Sequence, residues 1–558
     1  MKKQPDVTIK HLFKAVALLL LVLFVGTAQP SSPALAQTPQ TTAFVNVNVI
    51  PMDTERVLEN QTVIVEGDRI TAIGPVGDVA IPDGVEIIEG NGAYLMPGLA
   101  DMHTHLHHDP DPDFMRLYLD QGVTTVRNLN ALPEHLEWRE QVANGVLLGP
   151  TIYTSGPEIV GVPPEFRWLK YTFWAILILS PVVIGLLVWL IIWLLAKYTT
   201  LIANFGQMRR FILPSLAGLL LVGLLLVWSK VIPLNVYTSR IYPEAAVPET
   251  AGQARQLVRD QQAAGVDFIK PYDFLTREQY FAAMDEAEKL GIYAAGHIPD
   301  QPEVVSVREM IEAGQDEVAH VDEFTHEFWV DYDPVASEQG WVEYEIDMSL
   351  IDEVAAMVAE NDVEVTLTLV TNEIVLLGLE DMEGLLQRPE YRVIRPEVME
   401  AWRTGGRFVN WKGQEKYRRE QWRPLLMQLT KALHEHGALL ALGTDVNVQG
   451  VVPGLSVHQE LGLLVEAGLT PFEALATGTR NAAQITGRMG ADSAWGTIEV
   501  GKRADLILLP GNPLEDVSHT QDRLGVMVRG QWFTQAELDA LLDEFVATYQ
   551  ADVPLASQ

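Results

Sequence analysis

Cysteine is absent from the 558 residues. That excludes disulfides, thiolate nucleophiles and Cys-ligated zinc, so a metal ion could be held only by His, Asp, Glu or a modified Lys. Basic residues are scarce: 39 Lys and Arg stand against 74 Asp and Glu, a formal net charge of −35. A nucleic-acid binder needs a basic surface to meet phosphates, so that class is excluded. The length exceeds one minimal domain and has room for roughly three or four units of about 150 residues, or one large barrel with additions. Hydrophobic residues make up 48% and the mean hydropathy is +0.10. For so acidic a chain this is high, so the apolar residues must be concentrated.

They are concentrated in three runs. Residues 15–26 are apolar, preceded by Lys2, Lys3, Lys10 and Lys14 and followed by Ala34-Leu35-Ala36. A basic start, a short apolar stretch and an A-x-A site predict that residues 1–36 are a secretory signal peptide or an N-terminal anchor. Residues 171–196 and 211–229 contain no charge, and each is long enough to cross about 30 Å of hydrocarbon. They predict a transmembrane hairpin inserted at residues 167–241, a lipid bilayer as partner, and a membrane localisation with the catalytic domain exported to the periplasmic or extracellular side.

The remainder alternates strand and helix patterns. Eight short apolar runs, at 94–103, 123–128, 151–155, 267–271, 293–297, 317–320, 364–370 and 439–445, have the character of buried parallel strands. Helical patterns at 250–264, 277–290, 349–360, 418–436 and 457–467 follow several of them, two ending at Gly291 and Gly437 just before the next strand. The fold class is therefore α/β, a (β/α)8 TIM-like barrel over residues 93–166 and 242–495. Residues 43–92 and 496–534 alternate with turn signals and predict a small composite β-sandwich from both termini, leaving 535–558 as a C-terminal tail. Residues 371–417 are long and mixed, a candidate substrate loop.

Barrel enzymes place their chemistry at the C-terminal ends of the strands. Those positions carry Asp101-Met102-His103-Thr104-His105, Lys270-Pro271-Tyr272, Gly296-His297, Ala319-His320 and Gly443-Thr444-Asp445. Residues i and i+2 of a strand point the same way, so His103 and His105 can share one metal. A lone histidine is usually structural, but ligand-type residues at five strand ends in cyclic order are not expected by coincidence. Tyr272, just past Lys270, is a candidate substrate contact. Arg127 could face a substrate carboxylate, although a structural ion pair is the plainer reading. His107 and His108 are read as loop residues and His458 as structural, while His326, His434 and His436 fit no ligand position.

On these residues the chain resembles the amidohydrolase superfamily, in its prolidase-like and imidazolonepropionase-like branch. The stretches Met96-Pro97-Gly98-Leu99-Ala100-Asp101-Met102-His103-Thr104-His105, Ala467-Gly468-Leu469-Thr470-Pro471-Phe472 and Gly496-Thr497-Ile498-Glu499-Val500-Gly501-Lys502-Arg503-Ala504-Asp505 carry the likeness. The resemblance implies two divalent metal ions. His103, His105 and Asp445 would hold the first, His297 and His320 the second, and Lys270, as a carbamate formed with CO2, would bridge them. An ammonium beside two dications is repelled, which agrees with a lysine converted to an anion. Zinc is the metal best suited to imidazole and carboxylate ligands. The implied reaction is hydrolysis of an amide or peptide C–N bond by a metal-activated bridging water, with Asp445 as general base and then general acid, on substrates such as dipeptides or N-acyl amino acids. Alternatives are a cyclic-amide hydrolase or deaminase built on the same ligands, or a catalytically dead membrane scaffold. A homo-oligomer is left open.

Overall fold

A computed structural model describes residues 41–106, 111–162, 245–300, 303–333, 342–446 and 448–551. In chain order its strands begin with β1 (Thr41–Val49), β2 (Leu58–Glu66), β3 (Arg69–Pro75), β4 (Glu86–Glu89) and β5 (Tyr94–Pro97). Eight barrel strands follow: β6 (Leu99–Thr104), β7 (Val123–Asn128), β8 (Thr151–Thr154), β9 (Phe268–Ile269), β10 (Tyr293–Gly296), β11 (Glu317–Val318), β12 (Glu364–Thr366) and β13 (Leu440–Ala441). The chain ends with β14 (Leu506–Leu509), β15 (Gly525–Val528) and β16 (Gln531–Thr534).

The barrel strands are parallel throughout, as β6-β7-β8 and β9-β10-β11-β12-β13. The two arcs meet where Asp267 N–H donates to Thr154 O at 2.9 Å. They close again where Met102 N–H donates to Leu442 O at 2.9 Å and His105 N–H to Val446 O at 3.0 Å. Most strand residues are fully buried on both faces, as parallel strands covered by helices must be. The helix Arg277–Leu290 shows how sequence sets the outer layer. A Thr276–Gln279 capping box starts it, and Gly291 (φ 64°) stops it in a left-handed turn two residues before β10.

The run 94–103 is divided in the structure. Gly98 interrupts it, because a Cβ there would lie 2.2 Å from Thr124 Oγ1, and its N–H is taken by Asp505 O at 2.9 Å. β5 therefore joins the terminal strands and β6 the barrel. The terminal strands form one continuous eight-stranded sheet, β16-β15-β14-β5-β1-β2-β3 with β4 beside β1, which folds back on itself so that Phe44 of β1 meets Trp532 of β16 with ring centroids 5.2 Å apart. The continuity comes from β1. Its first half pairs with β4 and its second with β5, and the register shifts between them around Asn46 (φ 56°).

Residues 371–386 are helical, within Leu369–Leu386, and residues 535–551 form a helix. Leu538, Leu542, Phe545 and Tyr549 of the latter are buried at a helical period, against the short helix Arg116–Asp120.

The expected transmembrane hairpin, and with it the membrane localisation and lipid partner, is corrected. Among the described residues no helix is long and apolar enough to cross a membrane. Leu369–Leu386, with 18 residues, carries Glu373, Glu380, Asp381 and Glu383 and is broken at Asp381. The runs 171–196 and 211–229, like the predicted signal segment 1–36, lie outside the described residues. Apolar length is a necessary condition for a span, not a demonstration of one.

Candidate metal centre

The end of β6 presents His103 and His105 on one face. His103 is fully buried. Its Nδ1–H donates to Ala319 O at 2.9 Å, which leaves Nε2 as a lone pair. That Nε2 lies 3.2 Å from Asp445 Oδ1 and 3.5 Å from Lys270 Nζ, while His105 Nε2 lies 3.0 Å from the same Asp445 oxygen. Asp445 reaches this point from the chain after β13 with a left-handed backbone (φ 53°), a strained conformation of the kind that collects at functional sites.

Charge decides what can sit among these atoms. Burial pushes the His103 imidazole down to about 3, with Lys270 adding to the effect, so it is neutral at ordinary pH. Burial also pushes Asp445 up, but the imidazoles of His103 and His320 outweigh it and hold the carboxyl well below its usual range. A neutral imidazole lone pair thus faces a carboxylate oxygen at 3.2 Å with no proton to share. A cation is the group that such a donor set fits.

His297 and His320 stand beside this cluster. The His320 ring centroid is 4.3 Å from that of His103 and 4.9 Å from that of His297. His320 Nδ1 is hydrogen-bonded to Thr368 Oγ1 at 2.7 Å, and burial above all keeps the ring neutral. His297 Nδ1 faces two carboxylates, Asp273 Oδ1 at 2.7 Å and Glu323 Oε1 at 3.0 Å. Its Nε2 is buried and has no hydrogen-bond partner among the described residues. Burial alone would depress this imidazole, but Glu323 and Asp273 raise it to about 9. Lys270, 1% exposed, pairs with Glu158 Oε1 at 3.2 Å and lies 4.9 Å from the Tyr272 ring centre. Tyr272 in turn lies against His297, with ring centroids 4.1 Å apart.

The structure therefore brings His103, His105, Lys270, His297, His320, Asp445 and Tyr272 into one cluster. His107 and His108 lie outside the described residues. Arg127 turns away from the cluster and forms a buried ion pair with Glu317. Sequence reasoning missed Glu158, Asp273, Glu323, Thr368 and Asp101. Asp101 accepts from Thr444 Oγ1 at 2.6 Å and Thr444 N–H at 3.0 Å, tying β6 to the Asp445 turn, and burial pushes its carboxyl up to about 7. Asp273 lies three residues after Lys270 and Glu323 three after His320, and extending the strand-end rule by one turn would have found both.

The amidohydrolase family model matches residues 262–533. An adenine deaminase from Ruegeria sp. (strain TM1040) is 30% identical over 146 residues, 25% of this chain and 24% of that protein. The aligned stretches span at most about a quarter of the first curated relatives. Among solved structures, a bottromycin amidohydrolase superposes with TM-score 0.61 at 19% identity, covering 93% of this chain and 94% of the other. A Xaa-Pro dipeptidase with bound methionine in its active site gives TM-score 0.56 at 16% identity, covering 89% of this chain and 100% of the other. At such identities the structural likeness is one of fold. Residues 262–533 thus match the amidohydrolase family, and the described residues share the fold of these solved structures.

Proposed function

We propose that this chain is a metal-dependent hydrolase of amide or peptide bonds in small substrates such as dipeptides or N-acyl amino acids. One observation carries the reading: the neutral His103 Nε2, His105 Nε2 and Asp445 Oδ1 converge, with Lys270 Nζ 3.5 Å from the first. His103, His105 and Asp445 would hold one divalent ion. His297 and His320 would hold a second, and Lys270 would lie between them as a carbamate formed with CO2. Zinc suits these donors. When bound, such ions supply hydroxide at neutral pH and polarise a carbonyl.

The chain's own residues do the rest. Asp445 is an anion at neutral pH, so it can take a proton at Oδ and return it to the departing nitrogen. Asp273 and Glu323 hold the Nδ1 side of His297 and so aim its Nε2 inward. The Tyr272 hydroxyl, kept protonated by burial, is a donor for a substrate oxygen. The Glu158 contact belongs to the free-amine form of Lys270. Carbamylation replaces that cation by an anion and requires the Glu158 pair to part.

A second reading, a deaminase, is favoured by the likeness to an adenine deaminase. The test is metal analysis of the purified full chain together with hydrolysis of a dipeptide, acyl-amino-acid and purine panel, with Asp445→Asn as the blank. Roughly two divalent ions per chain and amide hydrolysis absent from the blank are expected. Turnover of purines alone selects the deaminase. A chain that binds no metal and turns over nothing is the dead barrel.

A further inference from the structure

The segment after β12 carries eight arginines, and four of them, Arg392, Arg403, Arg419 and Arg423, are ion-paired. Arg403 meets Glu383 at 3.0 Å, Arg419 meets Glu380, and Arg423 meets Glu373 at 2.7 Å and Glu466 at 2.8 Å. Such pairing is what a chain with about two acids per base should give. Arg407 is not among them. Its guanidinium makes no hydrogen bond or ion pair among the described residues and lies over the Trp411 ring, 5.0 Å from the centroid.

Its position is nevertheless fixed. Gly406 has φ 73°, and a Cβ there would lie 2.7 Å from Gln449 Oε1. Gln449 accepts Phe408 N–H at 2.9 Å and donates to Trp402 O at 2.9 Å and Gly405 O at 3.0 Å. Gln449 thereby clamps residues 405–408 to the loop that carries Asp445. Trp411 packs against a buried cluster of Val375, Leu379, Val446, Val448 and Val451, which includes the residue that follows Asp445, and the buried Arg418 stacks on the same indole at 4.4 Å. The Arg407 charge also reaches Tyr272 and Asp273, both in contact with His297, and Asp322. Those acids have other partners: Asp273 is held by His297, and Asp322 accepts from Asn372 at 3.3 Å.

We infer that Arg407, seated on Trp411 at the rim of the metal centre, binds an anionic group of the substrate, namely the carboxylate of a peptide or N-acyl amino acid. A planar guanidinium with its donors unused matches a carboxylate in two parallel hydrogen bonds. A site built only for neutral amides has no use for an unpaired cation held in place by a glutamine clamp. The inference names the substrate class within the hydrolase reading and rests on it for what is cut, but the binding can be tested apart from turnover.

Calorimetric titration of the full chain carrying Asp445→Asn, with N-acetyl amino acids and the matching C-terminal amides, is the test. The acids should bind about tenfold or more tighter than the amides, as loss of a charge-assisted hydrogen bond implies. The preference should vanish in Arg407→Met and survive in part in Arg407→Lys. With active protein, Arg407→Met should raise KM for acid substrates while leaving kcat nearly unchanged. Equal binding of acid and amide, no binding of any acid, or an undiminished preference in Arg407→Met overturns the inference. If Arg407→Met does not fold, the acid-against-amide comparison and Arg407→Lys still decide. Failure of the wild type to hydrolyse any amide would sink the hydrolase reading instead, and leaves the binding result standing.

Discussion

Two groups of buried charged side chains occupy this barrel, at opposite ends of its strands. Around Tyr293, Glu317 and Glu364, the first residues of β10, β11 and β12, the charges are matched. Arg127 donates from Nε to Met102 O at 2.7 Å and from Nη1 to Glu317 Oε2 at 2.6 Å, and its Nη2 meets Glu317 Oε1 and Thr366 Oγ1. Glu364 Oε1 lies 3.0 Å from Arg488 Nη1, an ion pair outside hydrogen-bond geometry. At the other end the balance fails. A histidine lone pair faces a carboxylate, His297 Nε2 has no partner among the described residues, and Asp445 and Thr368 both take left-handed backbones. Burial and charge are common to the two groups, so neither marks function. What separates them is ligand atoms aimed at one point and left unsatisfied.

Substitutions should split the two ends cleanly. Asp445→Asn should lower kcat by about 10²–10⁴-fold, the usual worth of a general acid–base, while the chain stays folded. Asn tolerates the left-handed backbone, although the stabilisation that His103 and His105 give the carboxylate is lost. Arg127→Met should do the reverse. Leaving Glu317 buried without its partner should cost about 3–5 kcal/mol of stability in urea unfolding, while the protein that remains folded keeps its metal and its rate. If Asp445→Asn unfolds the chain and Arg127→Met only slows it, the division is wrong. A smaller effect should come from Glu323→Gln. It weakens the grip on His297 Nδ1 without touching the ligand atom, so metal affinity against a chelator should fall by about 10–100-fold with little change in stability. An unchanged affinity would make Glu323 a bystander to His297.

The barrel was legible because its strands are buried on both faces and lie in short, mostly apolar runs, and because the ligand-type residues fall at strand ends, which topology alone brings together. The Gly98 break was not legible. It depends on Thr124 in the neighbouring strand, which no local pattern reveals. The single continuous sheet was hidden for the same reason, since β1 changes partner midway along its length. Hydropathy identified 171–196 and 211–229 as apolar but carries no information on what they pack against. Among the site residues, ligand-type residues at or just past a strand end could be read, and those farther along the loops could not. Asp273, Glu323 and Arg407 owe their places to the loops after β9, β11 and β12, whose paths are set by long-range contacts such as the Gln449 clamp.

A third buried ionisable group, His458, belongs to neither end and provides a control for the comparison. Its Nδ1 lies 2.8 Å from Thr520 Oγ1, and its Nε2 lies 3.0 Å from Gln121 O and 3.3 Å from Arg523 Nη1. Burial first, and then Arg523, pushes its pKa down to about 3. The folded chain therefore holds it neutral, while the unfolded chain takes up a proton below about 6.5. The sign follows: the stability is fully present above about 6.5 and drains as pH falls toward about 3, by at most about 1.4 kcal/mol per pH unit. Gln at this position binds no proton, so unfolding free energies of His458→Gln, measured in urea between pH 6 and pH 4, should fall less steeply by nearly one proton, with the pH profile of kcat unmoved. Parallel stability curves for the two proteins would mean that His458 charges in the fold. A shifted kcat profile would tie it to the metal centre, and the line drawn between matched and unmatched buried charges would have to move.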